Sequence, residues 1–300
     1  MIPQVNRLSQ VSSFLFRAAD YLPRLRNLLR RTKIMNISVT GHSEGSDSQE
    51  TFYVEAVRKI NTDSRKFKDF RRYFDYREIL EHVTYNQGLL YINRIRQLDK
   101  IILNDMDKFK KNDLVGNPRR YTYYNFGRFS PTTIRYVSVA TELKVIFQNR
   151  IPERVVEIGA GYGGQYLVLQ EFFKISEYSI FDLPEVQQLI SNYLQKSFSL
   201  NNVKFAELES FHTEYDSLVI SNYAFSELPR KLQIEYIEKV LGKCKFGYLI
   251  MNSGISNQTG RSAGKLSLEE LKGLLPPFEI LEEIPSTGPD NYVIVWGHKK

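Results

Sequence analysis

The segment Val156-Glu157-Ile158-Gly159-Ala160-Gly161-Tyr162-Gly163-Gly164 joins an apolar run to a helical pattern. Glycines at such a strand-to-helix turn let the backbone pass close to a ligand, where a side chain would collide. Gly159, Gly161 and Gly164 satisfy G-x-G-x-x-G, the fingerprint of dinucleotide sites. Glu157 points elsewhere. A carboxylate two residues before the first glycine suits a cationic ligand and sits badly beside a pyrophosphate. Asp182 ends the next apolar run, 23 residues after Gly159. An acidic residue there accepts hydrogen bonds from the ribose hydroxyls of a bound nucleoside. It also fits the cap of a helix opened by Leu183-Pro184-Glu185, and the two roles are compatible.

The elements that must hold these residues follow from the pattern downstream of residue 151. Strands are expected at 154–159, 178–182, 203–208, 217–222 and 247–252, with helices at 163–174, 185–197, 229–243 and 267–275. This alternation is the signature of an α/β, Rossmann-like, mostly parallel sheet. Two further strands, 278–285 and 291–299, are joined by Ser-Thr-Gly-Pro-Asp, too short for a parallel crossover, so they form an antiparallel hairpin at the sheet edge. Such a hairpin is typical of methyltransferase sheets. Upstream, residues 51–150 read as a helical cap, lid or dimerisation region, with a further helix at 133–149 and a catalytic domain at 151–300. Residues 41–50, Gly- and Ser-rich, read as a linker.

Four blocks in order carry a resemblance over roughly residues 116–255: NPRRYTYYNFGRFSPTTIRY, VEIGAGYGGQ, FDLPEVQQL, and SNYAFSELPRKLQIEYIEKV followed by GYLIMNSG. The sequence resembles the bacterial sugar O-methyltransferases, class I enzymes that look S-adenosylmethionine-dependent and belong to surface-polysaccharide gene clusters. The resemblance implies S-adenosylmethionine as cofactor, held by Glu157, Gly159, Ala160, Gly161, Tyr162, Gly163, Asp182, Leu183, Ser221 and Asn222. It implies transfer of a methyl group to a hydroxyl of a sugar or glycoconjugate. The FDLPEV block also resembles small-molecule O-methyltransferases of plants and antibiotic pathways, where a histidine after the fourth strand is the base. The stretch Ser221–Glu227 has no histidine.

A sugar hydroxyl is a poor nucleophile, so methyl transfer calls for alignment and a nearby base. Glu227 is the first candidate, because it follows the fourth strand at the edge where open α/β sheets bind ligands. It also suits the first turn of a helix starting near Pro229. Tyr223 and His212, near the ends of the fourth and third strands, are the alternatives. In the aromatic stretch 121–136, Tyr123, Tyr124, Phe126 and Phe129 either stack on a sugar or pack the lid. Arg128 and Arg135 are placed to grip a phosphate or carboxylate, and Tyr124, Ser130, Arg128 and Arg135 form the expected acceptor set.

No metal site is expected, since His42, His82, His212 and His298 lie far apart and Cys244 is alone. Magnesium held by scattered carboxylates would leave no signature. The single cysteine fits a reducing, cytoplasmic compartment. No apolar run approaches the roughly 20 residues of a membrane span. Of the net charge of +7, residues 1–34 hold +6 and the other 266 residues +1. The body of the chain therefore lacks the basic stripe of a nucleic-acid enzyme. Residues 1–40 read as a basic amphipathic helix, with Val11, Leu15, Ala18, Leu22, Leu25 and Leu29 on one stripe. That helix suits either peripheral contact at the inner face of the membrane or docking on its own domain or another subunit in a homo-oligomer. The competing classes are an NAD(P)-dependent oxidoreductase and an idle scaffold of the same fold.

Overall fold

The computed structural model describes residues 47–197, 200, 202–252, 264–289 and 291–298, so the helix expected over 1–40 lies outside the described residues. Helix α1 (Asp47–Thr62) already occupies 47–50, where a linker was expected. Short helices α2 (Ser64–Lys68) and α3 (Phe74–Leu80) follow. Then come α4 (Tyr85–Asp99), opened by a Thr84–Gln87 capping box, and a kinked 3-10 stretch over Lys100–Asp113. The aromatic stretch forms a small hairpin, β1 (Tyr121–Tyr123) with β2 (Gly127–Phe129), and runs into α5 (Pro131–Ile146).

The sheet begins at β3 (Arg154–Ile158) and continues through α6 (Gly164–Leu169), β4 (Glu177–Phe181), α7 (Pro184–Ser197) and β5 (Val203–Phe205). It resumes with β6 (Ser217–Asn222), α8 (Ala224–Glu227), α9 (Arg230–Lys239) and β7 (Phe246–Met251). It closes with α10 (Leu268–Leu274), β8 (Glu279–Glu282) and β9 (Tyr292–Trp296). Strand order is β5-β4-β3-β6-β7-β9-β8; the first five strands are parallel, and β9 runs antiparallel to both β7 and β8. This is the expected Rossmann-like, mostly parallel α/β sheet with a C-terminal antiparallel hairpin, preceded by a helical region. The hairpin enters it with the last strand innermost.

The two-residue period of the strands divides the core. Val155, Ile180, Leu218, Ile220 and Tyr248 face α5 and α7, whereas Val156, Ile158, Val219, Leu249 and Met251 face α9 and α10. Helix α6 stops at Leu169, short of the expected 174, because the chain turns to stack Phe172 on Phe109 at 5.5 Å. Residues Ser48–Lys300 form one compact unit. Helix α1 is tied to the start of α7 by Arg58–Glu185, 2.5 Å, and by Asn61 Nδ2 donating to the Glu185 carbonyl, 2.8 Å.

Candidate functional site

Strand order reverses between β3 and β6, the switch point at whose carboxyl ends open α/β sheets form their ligand crevice. The glycine segment forms one wall. Gly159, Gly161 and Gly163 have φ of 76°, 62° and 84°, the left-handed region that glycine enters without penalty. Close approach adds to this at Gly159, where a Cβ would stand 2.1 Å from the Ala224 Cβ at the start of α8. At Gly163 it would stand 2.9 Å from Ile190. Gly161 faces freer space, its nearest neighbour being Leu80 at 3.4 Å. Only the backbone of Tyr162 belongs to this wall, since its side chain is buried in the core beneath Arg71.

Asp182 caps the turn. Ala160 N–H donates to its Oδ2 at 2.9 Å, Gly161 N–H at 3.3 Å, and Leu183 N–H to Oδ1 at 2.9 Å. Burial outweighs these bonds and pushes the carboxyl up to about 6. Glu157 is buried, accepts the Tyr178 hydroxyl at 2.7 Å, and is pushed up to about 8 by burial. The helical region covers this wall through Leu80 and through Tyr53, whose phenol is raised first by burial and then by the Asp182 charge. Sequence reasoning offered no sign of either contact.

The facing wall follows β6. The Ser221 hydroxyl is fully buried between the Ile158 carbonyl (2.9 Å) and the Phe225 N–H (3.0 Å), so it braces the turn and is closed to a cofactor, contrary to expectation. Asn222 Oδ1 is buried and meets no donor among the described residues. Tyr223 has φ of 74°, a strained conformation for a bulky residue. Its phenol donates to Glu283 and lies 3.1 Å from Thr287 Oγ1. Glu227 is exposed beside it, with Asn252 Nδ2 donating to its Oε1 at 2.7 Å. Glu227 and Tyr223 thus share the carboxyl edge of the sheet, as expected.

His212 does not join them. Thr213 Oγ1 donates to the Lys239 carbonyl at 2.7 Å, which pins that loop beside the carboxyl end of α9, at the opposite edge. Ser130 is also excluded as an acceptor contact. It is fully buried as the cap of α5, within a network of Arg71, Glu81, Asn112, Asp113, Thr132 and Thr133. Arg71 there pairs with Glu81 and, at 3.2 Å, with Asp113. Tyr124 and Arg128 project from the β1–β2 hairpin into solvent, while Tyr123 and Phe129 are core. Arg135 lies inside, lining with Tyr91, Glu142, Tyr223, Tyr248 and Glu283 a cavity of ≈ 20 Å³. A larger cavity, ≈ 470 Å³, lies at the far edge between Arg150, Asp216, Lys245 and His298, remote from the glycine wall.

Among the described residues no group of three His, Cys, Asp or Glu is placed to hold a metal ion, and no helix is long and apolar enough to cross a membrane. No family model matches the chain, and no curated protein does. Solved structures show a partial likeness. The mitomycin 7-O-methyltransferase MmcR is similar over 55% of this chain and 55% of its own, at 11% identity and a TM-score of 0.42. The methyltransferase domain of bacterial CtHen1 matches 54% of this chain and 96% of its own, at 12% identity and 0.40. A SAM-dependent methyltransferase from Aquifex aeolicus matches 54% and 95%, at 13% identity and 0.36. The chain thus spans about half the length of the mitomycin enzyme.

Proposed function

We propose that the protein is an S-adenosylmethionine-dependent O-methyltransferase that methylates a hydroxyl of a sugar or glycoconjugate in surface-polysaccharide biosynthesis. The observation that carries this reading is the crevice itself. A glycine wall, Asp182 at the end of β4 and a buried carboxyl at Glu157 meet in a sheet whose last strand is antiparallel and inserted. The Asp182 carboxylate, ionised above about pH 6, and an orphaned amide oxygen favour a cationic nucleoside over a dinucleotide, whose pyrophosphate they would repel.

When bound, S-adenosylmethionine supplies an electrophilic methyl group. The chain's own residues do the rest. Asp182 receives the ribose hydroxyls, the loop from Gly159 to Gly163 leaves room for the nucleoside, and Asn222 offers its free Oδ1. Glu227, whose Oε1 accepts from Asn252, takes the proton of the acceptor hydroxyl. The region 51–150 serves as the cap and 151–300 as the catalytic domain.

Calorimetry of the full chain with S-adenosylhomocysteine and with NAD tests the cofactor: the first should bind and the second should not. With an acceptor in hand, Glu227→Gln should keep cofactor affinity while turnover falls roughly 10²–10⁴-fold and the acidic limb of the pH–rate profile disappears. A fall below about fivefold would reduce Glu227 to a helix-terminal charge.

A further inference from the structure

We infer that the acceptor carries a carboxylate and that Arg135 is the residue that reads it. Calling this ligand the acceptor rests on the methyltransferase reading; the anion site does not. Arg135 stands in the second turn of α5, largely buried, its guanidinium 5.4 Å from the centre of the Tyr136 ring. Two carboxylates share its cavity, and both are already engaged. Glu142 accepts Arg94 Nε at 2.8 Å and the Tyr248 hydroxyl at 2.6 Å. Glu283 accepts Tyr223, the Thr287 N–H at 2.7 Å and Asn291 Nδ2 at 3.0 Å. Arg135 makes no ion pair among the described residues. Tyrosine rings and hydroxyls surround it, and no carboxylate among the described residues is seated on its guanidinium fork, which leaves that fork to a bound anion.

The cavity is also in the right place. Tyr223 lines it, and the next residue, Ala224, touches Gly159 on the cofactor wall. Any anion held by Arg135 therefore lies one residue away from the crevice. Burial keeps the Tyr91 phenol protonated, and it is hydrogen-bonded to Tyr223 in the same lining.

Size and charge select the anion. The guanidinium fork matches a planar carboxylate with two parallel hydrogen bonds. A space of ≈ 20 Å³ holds one or two waters, so a flat carboxylate demands less opening than a tetrahedral phosphate. Glu142 and Glu283 in the same wall repel a dianion about twice as strongly as a monoanion. The geometry thus selects an acidic sugar over a sugar phosphate.

The test uses the full chain with D-glucuronate, glucose and glucose 6-phosphate, each with and without S-adenosylhomocysteine, read by calorimetry and thermal melting. Wild type should bind glucuronate about tenfold or more tightly than glucose. Arg135→Met should erase that preference, and Arg135→Lys should keep only part of it. Glucuronate should raise the melting temperature of wild type and leave that of Arg135→Met unchanged. Equal binding of glucuronate and glucose by wild type would overturn the proposal. So would tighter binding of glucose 6-phosphate, or a preference that survives Arg135→Met. A lower melting temperature in Arg135→Met with an unchanged preference would mark Arg135 as structural. Failure of S-adenosylhomocysteine to bind wild type would instead refute the methyltransferase reading and leave the glucuronate result standing.

Discussion

Arg71 and Arg135 are two inward-facing guanidiniums, each over a tyrosine ring, at 4.5 Å for Tyr162 and 5.4 Å for Tyr136. Their surroundings differ in kind. Arg71 is saturated, with two carboxylates, the Asn112 carbonyl at 2.7 Å and the Ser130 hydroxyl at 3.0 Å. Arg135 has aromatic rings and phenols, and the two carboxylates of its cavity, Glu142 and Glu283, are bonded to other donors. Both stand in the region 51–150, Arg71 buried within it and Arg135 on α5, where that helix meets the carboxyl edge of the sheet. The network around Arg71 closes its buried charges on one another. The carboxyl edge of the sheet keeps Arg135, Glu157 and Asn222 incompletely matched, one group of each character, cationic, acidic and neutral. Buried groups left open are costly to stability and useful to a ligand.

The largest effect should fall on the cap. Arg71→Met strands Glu81 and Asp113 without their cation and should lower unfolding free energy by about 3–5 kcal/mol in urea titrations. A loss below about 1 kcal/mol would erase the contrast with Arg135. Glu157 gives the next effect, through pH. Its folded value of about 8 lies above its unfolded value, so its contribution is complete at low pH and is lost as pH rises towards and through 8. Relative to wild type, Glu157→Gln should gain on the order of 2–4 kcal/mol between pH 5 and pH 9. Parallel melting curves across that range would show that Glu157 is matched after all. Asp182→Ala should weaken S-adenosylhomocysteine binding by roughly 1.5–3 kcal/mol in calorimetry. In wild type that affinity should decline as pH drops below about 6, where the carboxylate takes up its proton. An affinity flat from pH 5 to 8 would sharpen the comparison differently, leaving Asp182 only its bonds to Ala160 and Gly161.

The sheet was readable because local pattern decides it. Ser217–Asn222 matches the expected strand residue for residue, since an apolar run bounded by polar residues leaves little choice. Glycines at 159–163 and Asp182 were readable for the same reason, being tied to strand ends. What escaped was non-local. Arg71, Glu81, Asp113 and Ser130 meet from positions up to 59 residues apart, and no periodicity announces that meeting. Ser130 and Ser221 have the composition of binding residues and are braces, because a hydroxyl serves a backbone turn as readily as a ligand. His212 follows a strand in sequence, but its loop travels to the other edge before the next strand begins. Glu283 was invisible for a related reason, entering the site from the hairpin that closes the sheet.

That hairpin has a consequence for synthesis. Strand β9 leaves the ribosome after the other six strands, yet it takes the place beside β7. Until it arrives, Tyr248, Leu249, Ile250 and Met251 present an apolar edge with unpaired amides, the kind that recruits strands from neighbouring nascent chains. Helix α10 and β8 emerge in that interval, so the sheet can complete itself only by accepting a strand between two already made. Stalling a translating ribosome just before residue 291 should therefore give a chain that requires a chaperone, whereas one stalled after the hairpin has cleared the tunnel should not.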